Sequence, residues 1–305
     1  MSQIETILPA PDRAGRRREP VAAFEPLGRW VPIELVAEGP ISCVFRARAG
    51  RDKAAAYAVK VLRECWREDA KALAVMCREV QAARTIRHPR VISVLAAGLQ
   101  EPPYYVVTPW LCGRTLRERL ADRRPLDLPV ALWIVRQVAE ALGGMHEAGW
   151  MHGDVKPSNV FLSPEGHVTL LDLGFAQKAT GLEAADRRYF TGTGSYLAPE
   201  SASSTLAADI RSDIYSLGVV LFEMLTGRLP FVGEDLSTLI DKHRHAAVPN
   251  PRRFAPQIPI DVMRLVRRML SKQPLRRPQT PHELAGQLSE LEIKAFGERT
   301  FVGNC

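Results

Sequence analysis

His152-Gly153-Asp154-Val155-Lys156-Pro157-Ser158-Asn159-Val160-Phe161-Leu162, followed by Leu170-Leu171-Asp172-Leu173-Gly174, is the stretch that decides the fold. Two carboxylates, a lysine and an amide stand here between short apolar runs that read as strands. The intervening Gly166-His167-Val168-Thr169-Leu170-Leu171 has the turn residue and the alternation of a hairpin. Such a hairpin brings Asp172 back beside Asn159. Together they form a hard oxygen site, suited to Mg²⁺ carrying the phosphates of a nucleotide. Asp154 is left to accept a proton, and Lys156 to neutralise a transferring phosphoryl group. A structural hairpin with solvated turn acids is the plainer alternative, but it leaves so many positions in this order unexplained.

In these positions the chain resembles the catalytic and metal-binding loops of eukaryotic-like, bacterial-type serine/threonine protein kinases. The resemblance implies an α+β, bilobal protein kinase-like fold, with a small β-rich N-lobe and a larger, mostly helical C-lobe. ATP and Mg²⁺ would lie between the lobes. The resemblance makes Asp154 the base, Lys156 a contact of the γ-phosphate, and Asn159 and Asp172 the metal ligands. Phe161 would be a further contact of the nucleotide.

Working back toward the N-terminus, Trp30 to Val36 alternates like an edge strand and leads into Ala37-Glu38-Gly39-Pro40-Ile41-Ser42-Cys43-Val44. In the family this turn is glycine-rich, so that backbone N–H groups close over the phosphates. Gly39 alone keeps its place; Ala37 and Ser42 occupy the other glycine positions, and Pro40 removes a donor. Val44 follows as a nucleotide contact, and ATP is expected to be held more weakly than by glycine-rich relatives. Ala56 to Leu62 reads as a strand that points Ala58 and Lys60 to one side. By resemblance Ala58 packs on adenine and Lys60 holds the α- and β-phosphates. A helix over Glu68 to Thr85 carries Glu79, whose spacing to His88-Pro89 matches the glutamate that fixes this lysine. Strands follow at Val91–Ala96 and Tyr104–Thr108, then a hinge in which Thr108 stands beside the adenine pocket. The Pro109 carbonyl and the Leu111 N–H would read the adenine edge.

Beyond the hinge, Ala131, Val135, Val138, Leu142 and Met145 form the core stripe of a helix over Asp127 to Ala148. After Gly174 comes a hydroxyl-rich segment with Thr180, Tyr189, Thr191, Thr193 and Ser195, ending at Ala198-Pro199-Glu200. It resembles an activation segment and its anchor, with Thr193 bonded to Asp154 and Lys156. Asp213 would brace the catalytic loop, and Arg277 would pair with Glu200. Gly153 stands where many relatives carry an arginine that binds a phosphorylated segment residue. The organisation read from these motifs is a basic flexible tail over 1–25, an N-lobe over 26–108, a C-lobe over 109–295 and a tail over 296–305.

Composition narrows the surroundings. The net charge is +7, and only eight of the 41 basic residues are lysine. Because the arginines are spread along the chain, they read as solvated surface rather than a nucleic-acid footprint. The five cysteines have no CxxC spacing and read as buried or idle thiols. No signal peptide or membrane-length apolar run is present, which predicts a soluble cytoplasmic protein. Three functions compete. A serine/threonine kinase acting on protein hydroxyls, itself included through self-association, has every group that phosphoryl transfer needs. A nucleotide-binding pseudokinase would explain the poor glycine loop. A small-molecule kinase would explain His152-Gly153-Asp154, yet such enzymes lack the Ala-Pro-Glu segment.

Overall fold

Residues 25–52, 56–179, 194–202 and 208–302 are described by a computed structural model, with the backbone alone for 202 and 296–302. Five antiparallel strands open the fold: β1 (Trp30–Glu38), β2 (Ser42–Ala49), β3 (Tyr57–Leu62), β4 (Ala96–Gly98) and β5 (Tyr105–Pro109), in the order β1-β2-β3-β5-β4. β1 contains Pro32, which gives no N–H to a ladder. An edge strand tolerates this, and the β1–β2 register slips just after it. Successive side chains of β3 point to opposite faces of the sheet. Val59 joins Leu27, Trp30, Ala47 and Val107 on one face. On the other, Leu62 and Val106 pack against Ala72, Met76 and Val80 of α1 (Ala70–Thr85). α1 starts where Asp69 accepts hydrogen bonds from the Lys71 and Ala72 N–H groups, at 2.8 and 3.0 Å.

The helical part follows. Short pieces β6 (Arg114–Thr115) and α2 (Leu116–Arg119) lead to α3 (Leu128–Glu147), then β7 (Trp150–Met151), β8 (Val160–Leu162), β9 (Val168–Leu170) and β10 (Gln177–Lys178). Helices α4 (Ile210–Thr226), α5 (Leu236–His245), α6 (Ile260–Met269) and α7 (Pro281–Val302) complete it. The predicted α3 stripe is fully buried at all five positions. α4 is buried nearly all round, so it is the core helix on which α3 and α6 rest. Among the described residues, no helix is long and apolar enough to cross a membrane.

Three expectations change. Val91 to Ala96 does not form a strand of the small sheet. Instead Val91 bridges Leu170, the Ile92 N–H donates to Leu170 O at 2.9 Å, and both side chains enter the large-lobe core. The sheet resumes only at Ala96. The last helix runs past Ala295 to Val302. Cys65, Cys77 and Cys112 are exposed rather than buried, and Cys43 is half-buried. The N-terminal tail lies almost wholly outside the described residues.

Candidate active site

β8 and β9 pair antiparallel, Val160 opposite Leu170, and the Leu171 N–H donates to Asn159 O at 2.8 Å. The hairpin therefore sets the residue after Leu171 directly beyond Asn159. That residue is Asp172, in a left-handed conformation rare for a side chain other than glycine (φ 59°). Its Oδ1 accepts from the Gly174 N–H at 3.2 Å, which holds the turn. Gly174 is required here for another reason: a Cβ would lie 2.6 Å from the Val75 side chain of α1. Arg78, also on α1, donates to Gly174 O at 3.2 Å. The Asp172 loop is thus pinned between the hairpin and α1, and β10 closes it by pairing with β7.

Lys60 reaches this loop from the sheet. Its Nζ lies 3.0 Å from Glu79 Oε2 and 2.8 Å from Asp172 Oδ1. Glu79 is buried on the inner side of α1, whereas Glu64 pairs on the surface with Arg67. Burial opposes the charge on Lys60, but the Asp172 and Glu79 carboxylates overcome it and push the ammonium above its ordinary value. Burial likewise raises Asp172. The Lys60 ammonium and the Gly174 N–H outweigh it and hold the carboxyl down at about 2. Glu79 is raised by burial, helped by the negative charge of Asp172, with Lys60 only partly compensating.

The stretch from His152 to Asn159 is fixed from beneath. Asp213 of α4 is fully enclosed and accepts from the His152 N–H at 2.7 Å and the Gly153 N–H at 2.8 Å. Burial raises its carboxyl, and His152 with these two N–H groups pulls it down. The His152 ring bridges two motifs: Nδ1 accepts from the Asp154 N–H at 3.2 Å and Nε2 donates to Leu171 O at 2.9 Å. This buried histidine was not singled out from the sequence; its place two residues before Asp154 was the available signal. Lys156 Nζ sits 2.7 Å from Asp154 Oδ2. Asn159 Nδ2 donates to Asp154 O at 2.8 Å and to Oδ2 at 3.0 Å. Burial raises the Asp154 carboxyl above its usual value, against the pull of Lys156.

Both amide hydrogens of Asn159 are therefore spent on Asp154, which leaves its carbonyl oxygen as an acceptor. Asp172 is ionised, and among the described residues its Oδ2 lies outside the bonds to Lys60 and Gly174. One carboxylate and one amide oxygen fit Mg²⁺, which takes few protein ligands and completes its shell with phosphates and water. Among the described residues, no group of three or more His, Cys, Asp and Glu is arranged to hold a metal ion by itself.

Four of the remaining positions line one face of the sheet. Lys60 pairs with Val44 and Val106, and Ala58 with Arg46 and Thr108, so period 2 puts Val44, Ala58, Lys60 and Thr108 on the same side. Pro109 closes β5 opposite Tyr57, and Leu111 already packs on the large-lobe core. Phe161 pairs with Thr115 and Thr169 on the hairpin. Gly39 stands at the β1–β2 turn, its N–H donating to Ser42 O at 2.8 Å. Arg277 grips Glu200 through two parallel bonds of 2.6 and 2.8 Å. Thr180, Arg187, Arg188, Tyr189, Thr191 and Thr193 lie outside the described residues, and so does the predicted bond from Thr193.

Comparison with known proteins finds relatives over most of the chain. The family described as protein kinase domain matches residues 30–288. A probable serine/threonine-protein kinase of Clostridium perfringens is 33% identical over 265 residues, covering 87% of this chain and 38% of its own. Serine/threonine-protein kinase PrkC of Bacillus subtilis is 32% identical over 279 residues, 90% of this chain and 42% of the relative. PknB of Mycolicibacterium smegmatis is 35% identical over 265 residues, 84% and 41% respectively. This chain spans about two fifths of the length of each of these relatives.

Proposed function

The chain belongs to the protein kinase domain family, and we propose that it transfers the γ-phosphoryl group of ATP to serine and threonine hydroxyls of proteins, its own included. One observation carries this reading: the Lys60 ammonium is held between Glu79 and Asp172 at 3.0 and 2.8 Å, and Lys156, paired with Asp154, stands near enough to act on the charge of Asp172. Protein kinases use ATP and a divalent metal, generally Mg²⁺. Asp172 and Asn159 would hold that ion, which, when bound, neutralises the phosphates and lines them up for displacement.

The chain's own groups do the rest. Lys60 uses two of its three N–H bonds here, and exchanges Asp172 for phosphate oxygens while Glu79 keeps its stem in place. Val44, Ala58 and Thr108 enclose the base from the sheet, with Phe161 opposite and Pro109 O and Leu111 N at the adenine edge. Asp154 orients the acceptor hydroxyl and takes its proton, and burial has already made its carboxyl more basic than usual. Lys156 is close enough to share charge with both Asp154 and the transferring group. The anchored Glu200 gives a protein substrate a firm floor beside the loop, a feature that a small-molecule kinase does not need. Nothing in the geometry favours a pseudokinase, since each charged group stands at bonding distance from its partner.

Purified protein incubated with Mg²⁺ and γ-labelled ATP, alone and with a mixed protein acceptor, tests this. Label should appear on serine and threonine only, and Asp154→Ala should lower the rate by about a hundredfold or more. Label that is absent from the parent, equal in the variant, or carried on tyrosine would overturn the reading.

A further inference from the structure

Three successive carbonyls in the turn between β1 and β2 are tied to one short segment after β3. The Arg63 N–H donates to Ile41 O at 2.9 Å, and the Arg63 guanidinium to Gly39 O at 3.2 Å. Between them, the Trp66 indole N–H donates to Pro40 O at 3.0 Å. The tip is held from the side-chain direction as well. Ile41 and Trp66 both pack against the cluster of Leu62, Ala72, Met76, Val80 and Val106. Ala72, Met76 and Val80 belong to α1, the helix that carries Glu79.

A glycine-rich turn in this place would be loose until phosphates arrive, and would lose that freedom on binding. This turn has little freedom left to lose. Pro40 fixes its own φ, Gly39 is closed onto Ser42, and the carbonyls are held from outside. The peptide between Pro40 and Ile41 is trans, so the Ile41 N–H faces away from the carbonyl that Trp66 holds. One backbone donor at the tip is thereby aimed in advance.

We propose that Arg63 and Trp66 are positioning residues for the phosphates of the nucleotide, and that they replace the missing glycines by prearranging the turn instead of letting it adapt. The inference rests on the kinase reading of the same cleft. The strap also joins the turn to α1, so the phosphate turn and the Glu79–Lys60 pair form one body.

Trp66→Phe keeps an aromatic ring against the cluster but removes the N–H together with part of the indole's bulk. Arg63→Met deletes the guanidinium, and Arg63→Lys returns a donor. Binding of MgADP and of adenosine should be measured by calorimetry, alongside amide exchange of the peptide over residues 37–43 without nucleotide. Trp66→Phe and Arg63→Met should each weaken MgADP by about fivefold, the worth of one hydrogen bond. Both should leave adenosine unchanged and speed exchange in the turn. Arg63→Lys should recover part of the loss, and the effect should fall on KM for ATP more than on kcat. Equal weakening of adenosine would show a loosened small lobe, and unchanged MgADP binding would show an idle strap; either overturns the inference. A parent protein that binds neither ligand would instead sink the kinase reading, and the inference with it.

Discussion

In the large lobe Arg277 meets Glu200 at 2.6 and 2.8 Å, and in the cleft Lys60 meets Glu79 at 3.0 Å and Asp172 at 2.8 Å. By distance the two clusters are alike, and in both a cation holds a carboxyl below its ordinary value. What separates them is what is left over. Arg277 also donates from Nε to Ser271 O, from Nη1 to Arg211 O and from Nη2 to Lys272 O, so all five of its hydrogens are used. Glu200 takes a further bond from Ser212 Oγ at 2.6 Å. The side chain of Arg277 is wholly inaccessible, while that of Asp172 is 33% exposed. Lys60 keeps a hydrogen, Asp172 an oxygen and Asn159 a carbonyl. A closed network is architecture; an open one with similar distances is a place for a ligand.

The comparison breaks most sharply under a crossed pair of substitutions. Arg277→Ala leaves Glu200 buried and uncompensated, and should cost about 3–5 kcal/mol in urea unfolding. Asp172→Ala should lower the Mg²⁺-dependent phosphotransfer rate at least about a thousandfold, roughly 4 kcal/mol in the barrier. Its loss of stability should be smaller than that of Arg277→Ala, because Lys60 still has Glu79. If Arg277→Ala unfolds at the parent's midpoint, or if Asp172→Ala stays within about tenfold of the parent rate, the division fails.

That division was largely legible in the sequence where short spacing fixes geometry. The β8–β9 hairpin follows from an alternating run around Gly166, and it leaves Asp172 next to Asn159 with no long-range contact required. Glu79 and Lys60 lie in different elements, and only the resemblance joined them before the structure did. Val91–Ala96 misled because an apolar run looks the same whether its backbone pairs inside a sheet or bridges to a β-hairpin in the other lobe. Arg63 and Trp66 were invisible for a related reason. Their bonds go to backbone carbonyls, which every residue has, so no pairing of residue types marks them. His152 belongs with them, since its ring also serves two backbone groups.

The next test sharpens the open side of the comparison. Asp154 must be ionised to accept a proton, so kcat/KM should fall as pH drops through its pKa. Burial raises that pKa and Lys156 lowers it. Lys156→Met removes the lowering influence, so the acid limb should move to higher pH, and the plateau rate should fall about a hundredfold. PH–rate profiles of both proteins decide it. A limb that stays in place, or moves to lower pH, would mean that Asp154 is not the group seen.

The smallest effect concerns the joint between the two regions, Gly153. Its φ is +77°, and a Cβ there would lie 2.6 Å from Phe175 O, so a side chain would need the backbone to shift. The N–H groups of His152 and Gly153 are both held by Asp213 of the core helix. The catalytic loop is therefore set by the closed part of the molecule, through Asp213. An arginine at Gly153 would add a positive charge needing a phosphate from the activation segment to balance it; glycine adds none. Any substitute for that arginine would have to come from elsewhere, such as Arg187 or Arg188 of the segment itself. Activity should then depend little on phosphorylation of Thr180 or Thr191, with initial rates on an exogenous substrate differing less than about tenfold between phosphatase-treated and autophosphorylated protein. A larger gain, more than about 1.4 kcal/mol in the barrier, would mean that the loop is not set by Asp213 alone and that a phosphate-binding group outside Gly153 completes it.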